Sequence, residues 1–135
     1  MKSVIVYWSQ TGNTKSIALK IAEDTNADIF EVNSADVDKV LEYDNIILGC
    51  PAMGAEEIED SEFRPFYDLL MSKIKDQRVF LFGSYGWGDG EWMRSFEAET
   101  KGYNANLIGS GLIVNGDASE IEEDKYLDFI QSINS

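Results

Sequence analysis

The residues best suited to chemistry follow the first strand-like run of the chain. That run of β-branched and aromatic residues ends at Trp8, and a turn follows, made of Ser9, Gln10, Thr11, Gly12, Asn13 and Thr14. A helix that begins after such a turn offers unpaired backbone N–H groups and a partial positive charge, and hydroxyl and amide side chains add neutral donors. Glycine lets the backbone come close to a ligand. The turn is therefore predicted to hold a phosphate without Lys or Arg, so that the phosphate keeps much of its negative charge.

Two further loops suit a flat aromatic ligand. The third predicted strand is followed by Pro51, Ala52, Met53, Gly54, Ala55 and Glu56. The fourth is followed by Ser84, Tyr85, Gly86, Trp87, Gly88, Asp89 and Gly90. Each feature alone has an ordinary explanation, because the turn could be a helix cap, and Met53 and Trp87 could be core residues. Together at one sheet edge, the three loops favour a ligand that has a phosphate and a planar ring, such as flavin mononucleotide (FMN).

The elements that must position these loops alternate along the chain. Apolar runs predict strands at about 3–8, 28–33, 45–50, 78–83 and 105–114. Helical spacing of apolar residues predicts helices at about 13–24, 36–41, 62–74, 91–101 and 118–133. The alternation predicts an α/β fold with a doubly wound five-stranded parallel sheet of order 2-1-3-4-5 and helices on both faces. In that order the three loops meet at the carboxyl edge of the sheet.

Composition limits the class of protein. The 135 residues, 44% of them hydrophobic, fit one domain over 1–135 with its own core. We expect no membrane span and no secretory signal, and the single cysteine, Cys50, indicates a reducing cytoplasm. The net charge of −14 disfavours nucleic acid and anionic membranes as partners and favours proteins with basic surfaces. A monomer is expected.

Acidic residues concentrate at 56–62 and at 117–124. Such runs are often only solvated surface. Because the first run follows the loop after strand 3, we expect its carboxylates, including Glu59, to border the exposed edge of the ligand together with Asp89 and Glu91. They would then steer basic partners towards that edge. The second run is farther from the ligand, and both interpretations of it stay open.

The three loops resemble those of flavodoxins. Residues 9–14 are similar to the flavodoxin phosphate signature, 53–56 resemble the redox-sensitive turn of short-chain members, and 83–90 look like their flavin-stacking loop. The resemblance covers the whole chain and leaves no segment for the loop that interrupts strand 5 in long-chain members. It implies a flavodoxin-like fold and a low-potential one-electron carrier, not an enzyme. Such a carrier uses non-covalently bound FMN, mainly between semiquinone and hydroquinone, to transfer electrons between redox proteins.

The resemblance also implies residue roles. The phosphate would be held by Ser9, Thr11, Asn13 and Thr14. Met53 and Trp87 would cover the two faces of the ring, and Glu56 would accept a hydrogen bond from flavin N3–H. Backbone amides at 86–88 would meet the pyrimidine oxygens.

The turn after Met53 departs from the family pattern. By the resemblance, the Gly54 carbonyl accepts the N5 hydrogen bond of the semiquinone, and the next position needs a positive φ. Relatives commonly have Gly, Asn or Asp there, whereas this chain has Ala55. A left-handed residue with a Cβ costs roughly 1–2 kcal/mol. We therefore expect a less stable semiquinone than Gly would give.

Two other functions can be compared with this one. An FMN-dependent NAD(P)H or quinone reductase on the same fold would need room over the ring, which Trp87 is expected to fill, and the acidic edge would repel a nucleotide phosphate. A phospho-acceptor signalling domain shares the strand order. It needs an Asp at the end of strand 3 and an acidic pair after strand 1, where this chain has Cys50 and Ser9.

Overall fold

Strands and helices alternate from the first residues of the chain. The structure, a computed structural model, describes residues 1–54 and 57–135. The strands are β1 (Ser3–Tyr7), β2 (Asp28–Glu31), β3 (Asn45–Gly49), β4 (Arg78–Tyr85), β5 (Asn106–Leu107) and β6 (Leu112–Asn115). The helices are α1 (Asn13–Thr25), α2 (Val37–Val40), α3 (Phe63–Lys73), α4 (Glu91–Gly102) and α5 (Glu123–Asn134). Among the described residues, no helix combines the length and the apolar character that crossing a membrane would need.

All strand pairs of the sheet are parallel, and the order is β2-β1-β3-β4-β5, as predicted. In the centre, Val6 pairs with Leu48, which pairs in turn with Leu81. All of β3 is buried, because helices cover both faces of the sheet. That double burial explains why its sequence is a continuous apolar run rather than an alternating one.

Alternate residues of the central strands enter two separate cores. On one face, Val4 and Val6 belong to the core that includes residues of α2, α3 and α4. On the other face, Ile5 and Tyr7 pack with residues of α1 and α5. The period of two along the strands therefore fixes which side chains each helix meets. It also fixes the carboxyl edge at which the loops after β1, β3 and β4 emerge.

The prediction of one uninterrupted strand over 105–114 is wrong. β5 and β6 both pair with β4, but residues 108–111 separate them. Between the pairs Val79–Leu107 and Phe82–Leu112, the fifth strand position uses two more residues than β4 does. The extra length is taken up at Gly109, whose φ of 65° is accessible to glycine without strain. The Gly111 N–H then donates to Glu97 Oε2 at 2.6 Å.

Element ends differ by a few residues from the predicted ones. A 3₁₀ turn at Val32–Ser34 ends β2 early, and another at Ala118–Glu120 delays the start of α5. β4 is longer than predicted and reaches Tyr85, because β6 pairs with it up to that residue. This extension places Ser84 inside a strand, where its backbone and hydroxyl can join neighbouring loops.

Candidate functional site

The hydroxyl turn (residues 9–14) connects β1 to α1. Gly12 has a φ of 100°, a value that favours glycine, and α1 begins at the next residue. Ser9 Oγ accepts hydrogen bonds from the backbone N–H of Gly12 at 3.1 Å and from that of Lys15 at 3.3 Å. The Ser9 oxygen therefore satisfies part of the helix N-terminus itself, while its proton stays free to be donated.

Three other backbone N–H groups of the turn are available as hydrogen-bond donors. Among the described residues, no acceptor lies within hydrogen-bond reach of the backbone N–H of Thr11, Asn13 or Thr14. A Cβ added to Gly12 would meet nothing within 4 Å, so the space beside it is open. Free N–H groups at the start of a helix next to open space form a site for an anion such as phosphate. The residues present thus fit the phosphate end of FMN.

A buried hydroxyl pair joins the turn to β4. Thr14 Oγ1 and Ser84 Oγ lie 2.7 Å apart, and both residues are buried. The Ser84 carbonyl also accepts a hydrogen bond from the Ala52 N–H at 3.0 Å. Ser84 therefore contacts the other two loops, and the three loops predicted to converge do so at this residue.

The methionine loop (residues 51–57) is closed by a backbone contact. The Met53 N–H donates to the Glu57 carbonyl at 2.9 Å, and the two residues form an isolated antiparallel bridge. Met53 is half-buried, whereas Gly54 is exposed. Ala55 and Glu56 lie outside the described residues, so the roles predicted for them stay predictions.

The expectation that Glu59 borders the ligand as a surface charge is wrong. Its exposed fraction is 5%, and its carboxylate faces the start of α3. Oε1 accepts from the N–H of Glu62 at 2.8 Å and of Phe63 at 2.7 Å, and Oε2 accepts from the Ser61 N–H at 2.8 Å and from the Ser61 hydroxyl. Burial raises the pKa of this carboxyl, but the hydrogen bonds from Ser61, Phe63 and Glu62 together outweigh burial and hold its pKa below the ordinary value. No residue type in the acidic run distinguishes Glu59 from its exposed neighbours, so the sequence alone does not reveal this contact.

The tryptophan loop (residues 84–90) presents one aromatic ring and buries another. Trp87 is 69% exposed, which excludes the alternative that it is a core residue. Tyr85 is half-buried and packs against the buried Trp92, with ring centroids 5.4 Å apart. Trp92 Nε1 donates to the Cys50 carbonyl at 3.2 Å, which ties α4 to the end of β3. An exposed indole on a fixed base is suited to stacking on a planar ring.

The carboxylates near these loops are not equivalent. Asp89 is paired with Arg94, whose guanidinium donates to its Oδ1 at 3.1 Å and to its carbonyl at 3.2 Å. The acidic rim, defined as Glu57, Asp60 and Glu91, is exposed, and within the described part of the chain none of its members pairs with Lys or Arg. The charge that a partner would meet therefore comes from the rim rather than from Asp89 or Glu59.

The second acidic stretch has a partly structural role. Asp117 Oδ1 accepts from the Ser119 N–H at 2.9 Å and from the Ser119 hydroxyl at 2.5 Å. These hydrogen bonds lower the pKa of Asp117. The next residue, Ala118, donates its N–H to Ser16 Oγ at 3.0 Å, which ties this segment to the first turn of α1. The Gly116 N–H donates to the Tyr85 carbonyl at 3.1 Å, so the stretch borders the tryptophan loop as well.

The described residues predicted to bind the cofactor fall into three groups by exposure. The exposed ones are Gln10, Thr11, Gly12, Gly54, Gly86, Trp87 and Gly88. The half-buried ones are Ser9, Asn13, Pro51, Ala52, Met53 and Tyr85. The buried ones are Thr14 and Ser84. The site is thus an accessible edge that two buried hydroxyls support, and a separate cavity of about 500 Å³ between residues 108–113 and α5 contains none of these residues.

The doubly wound sheet and its loops define an α/β protein of the kind that binds a mononucleotide where the strand order reverses. The family model described as Flavodoxin matches residues 5–129, and the chain belongs to the flavodoxin family. It is 47% identical to the flavodoxin of Clostridium beijerinckii over 125 residues, which cover 89% of this chain and 91% of that protein. It is also 47% identical to the flavodoxin of Megasphaera elsdenii over 114 residues, with coverages of 81% and 83%.

A solved structure agrees with these sequence relationships. The solution structure of the two-electron reduced M. elsdenii flavodoxin matches with a TM-score of 0.87 and 40% sequence identity, over 98% of this chain and 99% of that one. Flavodoxins bind FMN and are electron-transfer proteins that serve redox partners. The predicted family, fold and cofactor are confirmed, and the protein is an FMN-binding electron carrier.

Proposed function

We propose that the protein is a low-potential carrier of single electrons between redox proteins, and that it has no enzymatic activity of its own. FMN would work mainly between its half-reduced and fully reduced forms. The single observation that carries this proposal is the convergence of three loops on Ser84, with free N–H groups on one loop and an exposed indole on another. A phosphate site without cationic side chains and an exposed indole at the same edge of the sheet suit a tightly bound flavin.

The hydroxyl turn would hold the phosphate of FMN. Its donors would be the backbone N–H groups of residues 11, 13 and 14 and the side chains of Ser9, Thr11, Asn13 and Thr14. Thr14 can accept a hydrogen bond from Ser84 and still donate its own proton outward, because a hydroxyl carries one donor and two acceptor positions. Gln10 and Gly12 would line the exposed side of the turn. No cation of the turn would neutralise the phosphate.

The other two loops would hold the ring. Trp87 would stack on one face and Met53 would cover the other, with Pro51 and Ala52 at the base of the methionine loop. Backbone amides at 86–88 would orient the oxygen edge, beside Ser84 and Tyr85. For Gly54, Ala55 and Glu56, the proposal rests on the family resemblance alone. FMN supplies the redox chemistry when bound, and the protein sets the energy of each charge state.

The acidic rim would disfavour extra negative charge at the site. A carboxylate about 10 Å away contributes roughly 0.4 kcal/mol at the dielectric of water, and more where water is excluded. The neutral hydrogen-bond donors of the turn add to this effect, because no cationic side chain of the turn offsets the phosphate charge. Both features would lower the potential at which the site accepts its last electron.

The same rim would select the partners. Exposed, unpaired carboxylates attract basic surfaces and set their orientation, so we propose redox partners with basic docking faces. The net charge of −14 makes nucleic acid and anionic membranes poor partners and supports a monomer through self-repulsion. We propose a cytoplasmic location on the basis of the single, buried and unpaired Cys50.

The decisive experiment titrates the purified chain with FMN and then reduces it anaerobically in steps. The expected results are a yellow protein, a dissociation constant below the micromolar range, and two separate one-electron steps. A colourless chain that ignores micromolar FMN would contradict the proposal. Rapid, saturable oxidation of NAD(P)H by the loaded protein would instead identify a reductase.

A further inference from the structure

Among the described residues, Glu59 carries the only buried carboxylate, and it forms no ion pair. Four donors surround it instead, from the N–H groups of Ser61, Glu62 and Phe63 and the hydroxyl of Ser61. A buried charge is tolerated only where such hydrogen bonds replace water. The chain from residue 59 to residue 63 is therefore held in one conformation around this group.

The held segment is continuous with the methionine loop. The backbone N–H of Glu59 donates to Cys50 Sγ at 3.2 Å, so the segment after the loop is fastened to the residue just before it. Two residues before Glu59, the Glu57 carbonyl accepts the Met53 N–H. Cys50 is held in turn, because its N–H donates to the Phe82 carbonyl and its own carbonyl accepts from Trp92. Glu59 thus lies where the loop exit, the loop entrance and the start of α3 meet.

We propose that Glu59 is a positioning residue for the cofactor: it anchors the exit of the methionine loop and so fixes where Met53 and Gly54 lie. The inference rests on the proposed function, in which this loop covers the ring. Glu59 itself touches neither ring nor partner. Without its carboxylate, the loop exit would be free to move, and the binding of the ring would have to order it again, at a cost in affinity.

A simple helix cap would stabilise the whole protein without favouring one loop, so the test must separate local from global effects. The test variant is Glu59→Gln, which keeps the size of the side chain but replaces one of its two acceptor oxygens with an NH2 donor. Asp76→Asn removes one negative charge from an exposed residue just after α3, outside the acidic rim. Tyr67→Phe breaks a buried hydrogen bond from α3, the helix whose start Glu59 contacts, to Thr100 on α4, away from the loop. Ser61→Ala removes one of the four donors and serves as a milder second variant.

The first readout is amide hydrogen exchange in the full chain as purified. We expect Glu59→Gln to speed exchange at Met53 by about tenfold relative to the amides of β3, and Ser61→Ala to do so by a smaller factor. Asp76→Asn should change exchange neither at Met53 nor in β3, and Tyr67→Phe should change exchange at both in proportion or at neither. Equal acceleration at Met53 and in β3 for Glu59→Gln would mean a global cap only and would overturn the proposal.

The second readout is the dissociation constant of the flavin. We expect Glu59→Gln to weaken FMN and riboflavin by the same factor, about tenfold, because the phosphate contacts are unchanged. Asp76→Asn and Tyr67→Phe should stay within about twofold of the parent. If the parent binds no FMN, the proposed function fails. If the parent binds FMN and Glu59→Gln binds it equally well, the proposed function stands and the positioning role is rejected.

Discussion

The hydroxyls of Thr14 and Ser84 lie 2.7 Å apart, although 70 positions separate the two residues in the sequence. Thr14 lies in the first turn of α1, and Ser84 is the next-to-last residue of β4, at the start of the tryptophan loop. Both are buried, so neither hydroxyl can exchange its partner for water without cost. The pair therefore fixes the separation between the phosphate end and the ring end of the proposed flavin site.

Removing either hydroxyl should cost both stability and flavin affinity. We predict that Thr14→Val or Ser84→Ala lowers the free energy of unfolding by about 1–3 kcal/mol, because the remaining hydroxyl loses its partner. The double variant should lose less than the sum of the two single losses. Urea unfolding measures stability, and fluorescence titration measures the FMN dissociation constant.

The chain contains a matched control for that experiment. Tyr67 and Thr100 form another buried hydroxyl pair at 2.7 Å, between α3 and α4. Thr100→Val should lower stability to a similar degree but leave the FMN dissociation constant unchanged. Equal losses of FMN affinity from both pairs would show that the Thr14–Ser84 contact has no special relation to the site.

Trp87 should matter for binding and not for folding. Because the indole is 69% exposed, Trp87→Ala should change the free energy of unfolding of the cofactor-free chain by less than about 0.5 kcal/mol. Loss of the stacked ring should weaken FMN by about 0.5–1.5 kcal/mol beyond the lost contact area, and Trp87→Phe should recover part of it. Riboflavin and FMN should be weakened equally. Unchanged affinity in Trp87→Ala would remove the indole from the proposed site.

Local sequence patterns were enough to predict the strand order of the sheet, but not the break in its last strand or the environment of Glu59. The order of the strands follows from burial, since a strand covered on both faces must be apolar throughout, as 45–49 is. The break at 108–111 was missed because it depends on side chains from another element. Gly111 packs against Met93 and bonds to Glu97, both on α4.

The candidate site shows the same division between local and tertiary information. Residue types and their place after strands predicted the three loops, and the structure brings those loops together. The environment of Glu59 was predicted wrongly, because a carboxylate in an acidic run has the same sequence whether it faces water or a helix start. Its burial is decided by the N–H groups of residues 61–63, which exist as free donors only after α3 has formed.

The stability that Glu59 contributes to the folded protein should be lost on acidification. Its pKa is lower in the folded state than in the unfolded chain, so the stability it contributes is fully present above the unfolded pKa. That contribution disappears as the pH falls through the folded pKa, in the acidic range below the ordinary value for a glutamate. We predict that Glu59→Gln costs about 1–3 kcal/mol at pH 7 and that its unfolding free energy approaches that of the parent at low pH. Urea unfolding across pH 3–7 tests this, and a difference that stays constant with pH would contradict the depressed pKa.

Cys50 should be unreactive in the folded protein. Burial raises the pKa of its thiol to about 12, so almost no thiolate is present at pH 8. We predict that a thiol reagent modifies Cys50 only as fast as the protein opens, and that urea accelerates the reaction in parallel with unfolding. Fast modification of the native protein at pH 8, without loss of structure, would show that the thiol is accessible and would contradict this prediction.

The acidic rim should set the potential of the last electron through its charge and its position. We predict that the triple variant Glu57→Gln, Asp60→Asn, Glu91→Gln raises that potential by the equivalent of about 1 kcal/mol at low ionic strength, since each carboxylate about 10 Å away contributes roughly 0.4 kcal/mol. Added salt should shrink the difference as screening increases. Spectroelectrochemical titration at two ionic strengths measures both effects.

A matched variant separates position from net charge. Glu23→Gln, Glu42→Gln, Asp76→Asn removes the same three charges from exposed residues at the opposite edge of the sheet, where α1 ends and where β3 and β4 begin. At about 0.1 M salt the Debye length is about 10 Å, shorter than the five-residue strands that separate these carboxylates from the candidate site, so the potential should barely move. The rate of electron transfer to a basic partner should likewise fall in the rim variant and not in the control. Equal shifts in the two variants would mean that total charge, and not the rim, tunes the site.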